Sequence, residues 1–180
     1  MASVREITRK QRYSLKEKNS KKLPVELCTV NFECDQNLGF LVRAAACFGV
    51  SKINVIGSVP SKKLLNIYSG TLSDYVKIES FSNPRSYLKY AKEKNSKIIS
   101  AEILDSSESI FSVDFSSFSN FHLVVGNETT GVPAEILTQS VHVRIPMPGV
   151  GYCLNTSQTA NIFLYEISKQ MLKDKTKNYS

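Results

Sequence analysis

The sequence predicts an α/β fold in which a mostly parallel sheet carries helices on both faces. Short apolar runs, typical of buried strands, alternate along the chain with longer stretches whose apolar residues recur at helical spacing. Glycine or proline stands at many of the junctions between them. Strands that alternate with helices form parallel sheets covered on both sides. The 180 residues, of which 42% are hydrophobic, fit one domain of this kind.

The first half of the chain is predicted to form three strands and three helices. Residues 23–32 are rich in β-formers and are predicted as a strand, and residues 37–48 as a helix that ends at Gly49. Asn83 and Pro84 mark the start of the third helix, because proline fits the first helical turn. The other predicted elements are strands at 53–56 and 75–79, a short helix at 62–68 and the third helix at 83–94.

The second half continues the alternation. Its predicted elements are strands at 97–101, 121–125 and 141–145, a short helix at 133–139 and a closing helix at 155–172. The closing helix is predicted from an apolar stripe made of Ala160, Phe163, Leu164, Ile167 and Met171. Such a stripe is more typical of a core or a subunit interface than of a ligand site. The serine-rich stretch 105–120 has no pattern that decides its structure.

Positive charge is concentrated at the ends of the chain. The net charge is +7, and residues 1–22 hold eight basic and two acidic residues, a local charge of +6. A smaller basic cluster comprises Lys169, Lys173, Lys175 and Lys177. The sequence thus divides into a basic arm (1–22), a folded domain (23–172) and a basic tail (173–180).

This distribution suits a nucleic acid, because each neutralised phosphate releases counterions. Arg5, Arg9, Lys10 and Arg12 are the residues of the arm that we expect to bind RNA. A solvated tail is the alternative for any run of charges. A membrane surface fits less well, because the arm lacks a clear apolar face.

Several other classes of protein are disfavoured. The N-terminus has no apolar segment of a secretion signal, and no apolar run is long enough to span a membrane, so a cytoplasmic location is expected. Cys28, Cys34, Cys47 and Cys153 form no C-x-x-C pair, so we expect buried thiols and no metal. Both histidines, His122 and His142, lie within predicted strands and are expected to be structural.

The glycine-containing segments of the chain do not complete the known nucleotide-binding or hydrolase motifs. Gly126 and Gly131 have the spacing of a phosphate-binding P-loop, but Val132 and Pro133 stand where Lys-Ser/Thr is required. The G-x-G at residues 149–151 is not completed by a third glycine, and no G-x-S-x-G hydrolase motif occurs. An ordinary nucleotide-binding α/β enzyme is therefore a weaker interpretation.

An arginine in the first predicted helix is the most conspicuous polar residue of the domain. Arg43 follows Asn37-Leu38-Gly39 and sits among Leu41, Val42 and three alanines. A bare buried guanidinium is costly, so it needs a carboxylate of its own chain, such as Glu128, or an external anion. As a functional residue it would grip a phosphate through two parallel hydrogen bonds. The residues alone leave both possibilities open.

Two later segments share the features of ligand-binding turns. At 124–133 a buried strand ends at Gly126, where the backbone can be approached closely, and Asn127 and Glu128 follow at its carboxyl edge. At 143–155 an uncharged loop rich in proline and glycine leads to a helix, which suits an adenosine held by backbone groups and apolar contacts. A simple turn and a connecting surface loop are the alternatives.

Together the three segments resemble the signature motifs of the SpoU (TrmH-like) branch of the SPOUT RNA methyltransferases. The motifs are N-x-G-x-x-x-R followed by F/V-G-V, then G-N-E-x-x-G-[LIV], then I-P-M-x-G-x-x-x-S-L-N, in this order. The resemblance extends over about residues 23–170. It implies a deep trefoil knot in the C-terminal part of the fold, a homodimer, and transfer of a methyl group from S-adenosylmethionine to a ribose 2′-OH of RNA. Small members of this form often act on tRNA, so tRNA is expected ahead of rRNA.

The resemblance also implies roles for particular residues. The cofactor is expected to contact Gly126, Ile145, Leu154, Cys153 and, through a looser alignment, Ala101 in the segment 100–102. The positions that match the polar active-site residues of the family are Asn37, Arg43, Glu128 and Asn155.

One departure from the family pattern concerns Cys153. The family usually has serine there, and a thiol is a poorer hydrogen-bond donor than a hydroxyl. It is the one reason to consider a non-catalytic RNA-binding or ribosome-assembly protein on the same fold.

Overall fold

The computed structural model, which describes residues 8–173, confirms the α/β fold. Within these residues the sheet has seven strands, all parallel, in the order β3-β2-β1-β6-β4-β7-β5. The strands are β1 (Val25–Val30), β2 (Lys52–Ile56), β3 (Lys77–Phe81), β4 (Lys97–Ala101), β5 (Glu108–Ser109), β6 (Phe121–Val125) and β7 (Val141–Arg144). Strands β4 and β6 match the predicted ranges to the residue.

Residues 8–173 form six α-helices. They are α1 (Arg9–Lys18), α2 (Asp35–Phe48), α3 (Lys62–Ser69), α4 (Pro84–Glu93), α5 (Ala134–Leu137) and α6 (Thr156–Lys173). Five of them, α2 to α6, cover the two faces of this sheet. The larger apolar core lies between the sheet and α2, α3 and α6, and the smaller one lies under α4 and α5. No helix within residues 8–173 combines the length and the apolar character needed to cross a membrane.

Helix ends follow the signals in the sequence. Helix α2 ends at Gly49, whose φ of 75° is the left-handed conformation that glycine adopts at low cost. Helix α4 begins after Asn83, whose side chain accepts the N–H of Ser86 at 2.9 Å, and Pro84 occupies the first turn. Gly49 thus turns the chain back towards the sheet after α2, and Asn83 fixes the start of α4.

The third strand lies two residues later than predicted. Residues Ser73–Tyr75 form a 3-10 turn, and the strand begins at Lys77. Register explains the shift, because Lys77 pairs with Lys52, the first residue of β2.

The serine-rich stretch is held against the body of the domain. Strand β5 pairs with β7, and a 3-10 turn at Phe115–Ser117 buries the ring of Phe115 completely. The side chain of Gln170 in α6 accepts the N–H of Phe115 at 2.7 Å and donates to the carbonyl of Val113 at 3.0 Å. Long-range contacts therefore fix a segment whose local pattern predicts nothing.

The described part of the basic arm forms helix α1, which the sequence does not predict. Thr8 and Gln11 form a reciprocal cap at its start, and the ring of Tyr13 contacts that of Tyr75 edge-on. Beyond the helix, the N–H of Leu23 donates to the carbonyl of Gly49 at 3.0 Å. These contacts lie at the edge where the strands begin, so the arm docks at the amino edge of the sheet.

The prediction of buried cysteines is correct for Cys28 and wrong for the other three, because Cys34, Cys47 and Cys153 are exposed. Cys34 precedes α2, Cys47 lies on its solvent side, and Cys153 belongs to an exposed loop. Burial raises the pKa of the Cys28 thiol far above its usual range.

Candidate active site

A cleft of about 360 Å³ opens at the carboxyl ends of β4, β6 and β7. This is the edge at which open α/β sheets bind ligands. All five residues expected to contact the cofactor line it, namely Ala101, Gly126, Ile145, Cys153 and Leu154. Residues far apart in sequence thus meet in one cavity of ordinary ligand-binding size.

The turn after β6 forms one wall of the cleft. Asn127 and Gly131 exchange two backbone hydrogen bonds of 3.0 Å, and the Asn127 side chain accepts the N–H groups of Thr129 and Thr130. A Cβ at Gly126 would stand 2.3 Å from the carbonyl carbon of Gly131. The missing side chain at Gly126 therefore lets the chain's own turn pack closely on it, while Gly126 also lines the cleft.

A carboxylate from the segment 100–102, which the resemblance places only loosely near the cofactor, supports this turn. Glu102 follows β4 and lines the cleft, and its Oε2 accepts the N–H of Val132 at 3.0 Å. Its Oε1 accepts the N–H of Ile103 at 3.1 Å. The sequence gives no signal for the first contact, because its partners lie 30 residues apart.

The loop between β7 and α6 forms the opposite wall. Met147, Tyr152, Cys153 and Leu154 line the cleft, although Tyr152 remains 81% exposed and Val150 is fully exposed. These two side chains are therefore uncovered within the single chain.

A chain of three polar side chains connects the cleft to the start of α2. Asn37, which is buried, donates to Glu128 Oε1, and Asn155 donates to Asn37 Oδ1 at 3.0 Å. Glu128 Oε2 also accepts the backbone N–H of Glu33 at 3.0 Å. Asn155 Oδ1 accepts the N–H of Ser157 at 2.9 Å, which caps α6. Three of the four predicted polar residues are therefore joined directly.

The fourth, Arg43, occupies an adjoining groove of about 560 Å³. Asn37 and Asn155 line the same groove, so it meets the cleft where Glu128 stands. Arg43 is exposed, and within residues 8–173 it forms no ion pair, so a pairing with Glu128 is not found. The apolar neighbours of Arg43 face the core, whereas Arg43 lies on the outer side of α2.

Helix α1, which contains three of the four residues expected to bind RNA, lies away from this site. Arg12 is exposed on α1, at the amino edge of the sheet. Arg9 and Lys10 belong to the first turn of the same helix, and Arg5 lies outside the described residues. Within the described residues, helix α1 does not reach the cleft of its own chain.

The lining of the cleft defines the chemistry it can accept. Val125, Ile145 and Phe163 provide apolar walls, while Glu102 and Glu128 provide negative charge. Such a cleft fits an adenosine that carries a cationic group, which describes S-adenosylmethionine. Within the part of the chain that the structure describes, no group of three or more potential metal ligands is found.

Comparison with known proteins points in the same direction. The model of the SpoU rRNA methylase family matches residues 24–165. A tRNA (guanosine(18)-2′-O)-methyltransferase of Aquifex aeolicus is 30% identical over 143 residues, which cover 78% of this chain and 66% of that enzyme. The match thus spans just under two thirds of the length of this relative.

Solved structures share the fold. A TrmH/SpoU tRNA-modifying enzyme of A. aeolicus has a TM-score of 0.79 and 25% identity, over 93% of this chain and 85% of that one. An S-adenosylmethionine-bound rRNA methyltransferase of Sinorhizobium meliloti has a TM-score of 0.75 and 21% identity, over 83% and 57%.

Proposed function

The chain belongs to the SpoU rRNA methylase family, and from this we propose that it methylates a ribose 2′-OH of RNA with S-adenosylmethionine. The observation that carries the proposal is the junction of two cavities. A cleft suited to the cofactor meets a groove that contains Arg43, and the Glu128–Asn37–Asn155 chain lies between them. A methyl donor in one cavity and a ribose in the other would meet at Glu128.

The cofactor would be held by Ala101, Gly126, Ile145, Cys153 and Leu154, largely through backbone groups and apolar contacts. Their common position around one cleft supports this assignment. The cofactor supplies a methyl group that is already activated, so the protein has mainly to orient the two reactants. Cys153 offers a weaker donor than the usual serine but leaves the cleft open.

In the groove, Arg43 would bind the phosphate beside the target ribose and stabilise negative charge on the 2′-oxygen. A guanidinium keeps its proton in proteins, which favours this role over that of a base. Asn155 would hold the ribose, because its side-chain amide is held in place: Oδ1 accepts the backbone N–H and the hydroxyl of Ser157 at the start of α6. Glu128 would hold the hydroxyl at the junction, with Asn37 fixing the carboxylate.

The substrate is proposed to be tRNA, with rRNA as the alternative. The A. aeolicus relative is a tRNA methyltransferase that acts on guanosine 18, whereas the family model and the S. meliloti structure are described for rRNA. The basic arm would bind the body of the RNA, since Arg12, Lys16 and Lys18 are exposed. A cytoplasmic location belongs to this proposal.

The active form is proposed to be a homodimer. Helix α6 exposes Ile162, Tyr165 and Leu172, and the adjacent loop exposes Val150 and Tyr152. These apolar side chains give a second copy of the chain a surface to cover. A partner there would also shield the cleft and the groove from water.

Incorporation of labelled methyl groups tests the reaction. The protein is incubated with radiolabelled S-adenosylmethionine and either tRNA or rRNA, and the RNA is then digested to nucleosides. We expect label in a 2′-O-methylated nucleoside from tRNA, and guanosine 18 is the first position to map. If only rRNA becomes labelled, rRNA is the substrate. If the label is found in a base, ribose methylation is contradicted. If the protein binds RNA but no label is transferred, the protein is non-catalytic.

A further inference from the structure

Glu102 carries a negative charge into the cleft without a cation to balance it. Within residues 8–173 no lysine, arginine or histidine nitrogen lies within ion-pair distance of its carboxylate. The other charged residues that line the cleft are Glu128 and Arg144, both exposed to solvent. Glu102 is only partly exposed, so its charge is screened least.

The carboxylate is also held in a fixed orientation. Each of its oxygens accepts one backbone N–H, from Val132 at 3.0 Å and from Ile103 at 3.1 Å. A Cβ on Gly131 would lie 2.8 Å from Oε2, so the turn packs directly on the carboxylate. Two neutral donors fix the group but leave its charge uncompensated. A cationic ligand in the cleft would supply the missing compensation.

We propose that Glu102 makes the cleft selective for the cofactor, which carries a sulfonium charge, over its product, which does not. This inference rests on the proposed function. In the transfer, the sulfonium–methyl bond breaks and its electron pair stays on sulfur, while a bond forms between the methyl carbon and the 2′-oxygen. The hydroxyl proton passes to solvent. S-Adenosylhomocysteine therefore lacks the sulfonium charge, and Glu102 attracts it less, which favours release of the product.

Calorimetric titration of both compounds tests this selectivity. Glu102→Gln should weaken binding of S-adenosylmethionine about tenfold more than binding of S-adenosylhomocysteine. A smaller loss common to both ligands is expected, because a glutamine offers one acceptor where the two N–H groups need two. Glu135→Gln is the matched control, since Glu135 is exposed on α5, outside the cleft, with Arg85 3.5 Å away.

A second variant separates the charge of the carboxylate from its position. It also provides a measurement if Glu102→Gln does not fold. Glu102→Asp keeps the charge on a shorter side chain, so both ligands should bind more weakly while their affinity ratio stays within about twofold of the wild-type ratio. Equal weakening of both ligands by Glu102→Gln would reduce Glu102 to a structural support and overturn the inference. If the unmodified protein binds neither compound, the proposed function itself fails.

Discussion

Arg43 illustrates how the side of a helix on which a residue lies decides what it can do. Leu41, Val42, Ala44 and Ala45 are buried, and Arg43 points outward from the same helix into the groove. Its guanidinium is therefore available to an anion from solution. The sequence shows apolar neighbours but not the direction of the side chain, so it leaves an internal partner open.

Replacement of Arg43 by alanine should abolish methyl transfer, with a loss of at least about 100-fold. Affinity for S-adenosylmethionine should change less than about twofold, because Arg43 lines the groove and not the cleft. Single-turnover transfer and cofactor titration measure the two quantities. Arg85→Ala, at an exposed arginine of α4, is the control. A parallel loss of cofactor binding would contradict the assignment of Arg43 to the RNA.

The residues that line the cleft differ in how far the sequence predicted their roles. Gly126, Ile145, Cys153 and Leu154 follow from motif order and Ala101 from a looser alignment, and all five line the cleft. Glu102 was placed only near the cofactor by a loose alignment. Its role depends on a contact with Val132, which no local pattern encodes.

At the scale of elements, buried strands were predicted best. Strands β4 and β6 match to the residue because both are short, mostly apolar runs, as expected where both faces of a sheet are covered. Strand β5 was missed because its two residues are set by pairing with β7. Helix α1 was missed because its support is a Thr8–Gln11 cap and one ring contact rather than an apolar stripe.

Helix α1 presents Arg12, Lys16 and Lys18 to solvent, which gives the arm a testable electrostatic role. Changing Arg12, Lys16 and Lys18 together to alanine should weaken RNA binding and lower the salt dependence of the logarithm of affinity. That slope should fall by roughly one for every phosphate that the arm no longer neutralises. Binding titrations at several salt concentrations measure it, while the cap and Tyr13 keep the helix docked.

The matched control removes the same charge from α4 and the residue that follows it. Lys89, Lys92 and Lys94 are exposed there, on the face of the sheet opposite α2 and α6. Their replacement by alanine should leave the slope close to the wild-type value. If both triple variants lower the salt dependence of RNA affinity similarly, only the net charge of the protein matters. If neither variant changes it, the arm is a solvated helix that does not bind RNA.

Across the whole molecule, the two edges of the sheet have different chemistry. The carboxyl edge holds the cleft and the groove, whereas a partly buried polar cluster lies towards the amino edge, under α4. In that cluster Lys52 pairs with Glu79 at 2.8 Å and lies 3.6 Å from Glu26. His122 is fully buried, with Nδ1 2.9 Å from the Tyr87 hydroxyl and Nε2 3.5 Å from Glu26. The trefoil knot implied by the family stays a prediction.

Stability of the whole domain should depend on the protonation of His122. Burial lowers the pKa of His122 to about 4; the nearby Glu26 opposes this shift and Lys52 adds to it. Cys28, Glu79, Tyr87 and Tyr90 are the other titratable groups of the cluster, and none supplies an uncompensated charge to a protonated ring. The folded domain therefore holds His122 neutral under conditions in which the unfolded chain binds a proton.

The sign of the pH dependence follows from this difference. Above about pH 6.5, His122 is neutral in both the folded and the unfolded state, and its contribution to the free energy of unfolding is fully present. Between about pH 6.5 and 4, the unfolded state is protonated first, so the free energy of unfolding falls. We expect the free energy of unfolding to drop on the order of 2–3 kcal/mol through His122. Urea unfolding of the wild type and of His122→Gln across this range measures the effect, and His142→Gln is the control. The fall should be smaller in His122→Gln and unchanged in His142→Gln; an identical fall in all three would assign acid sensitivity to other groups.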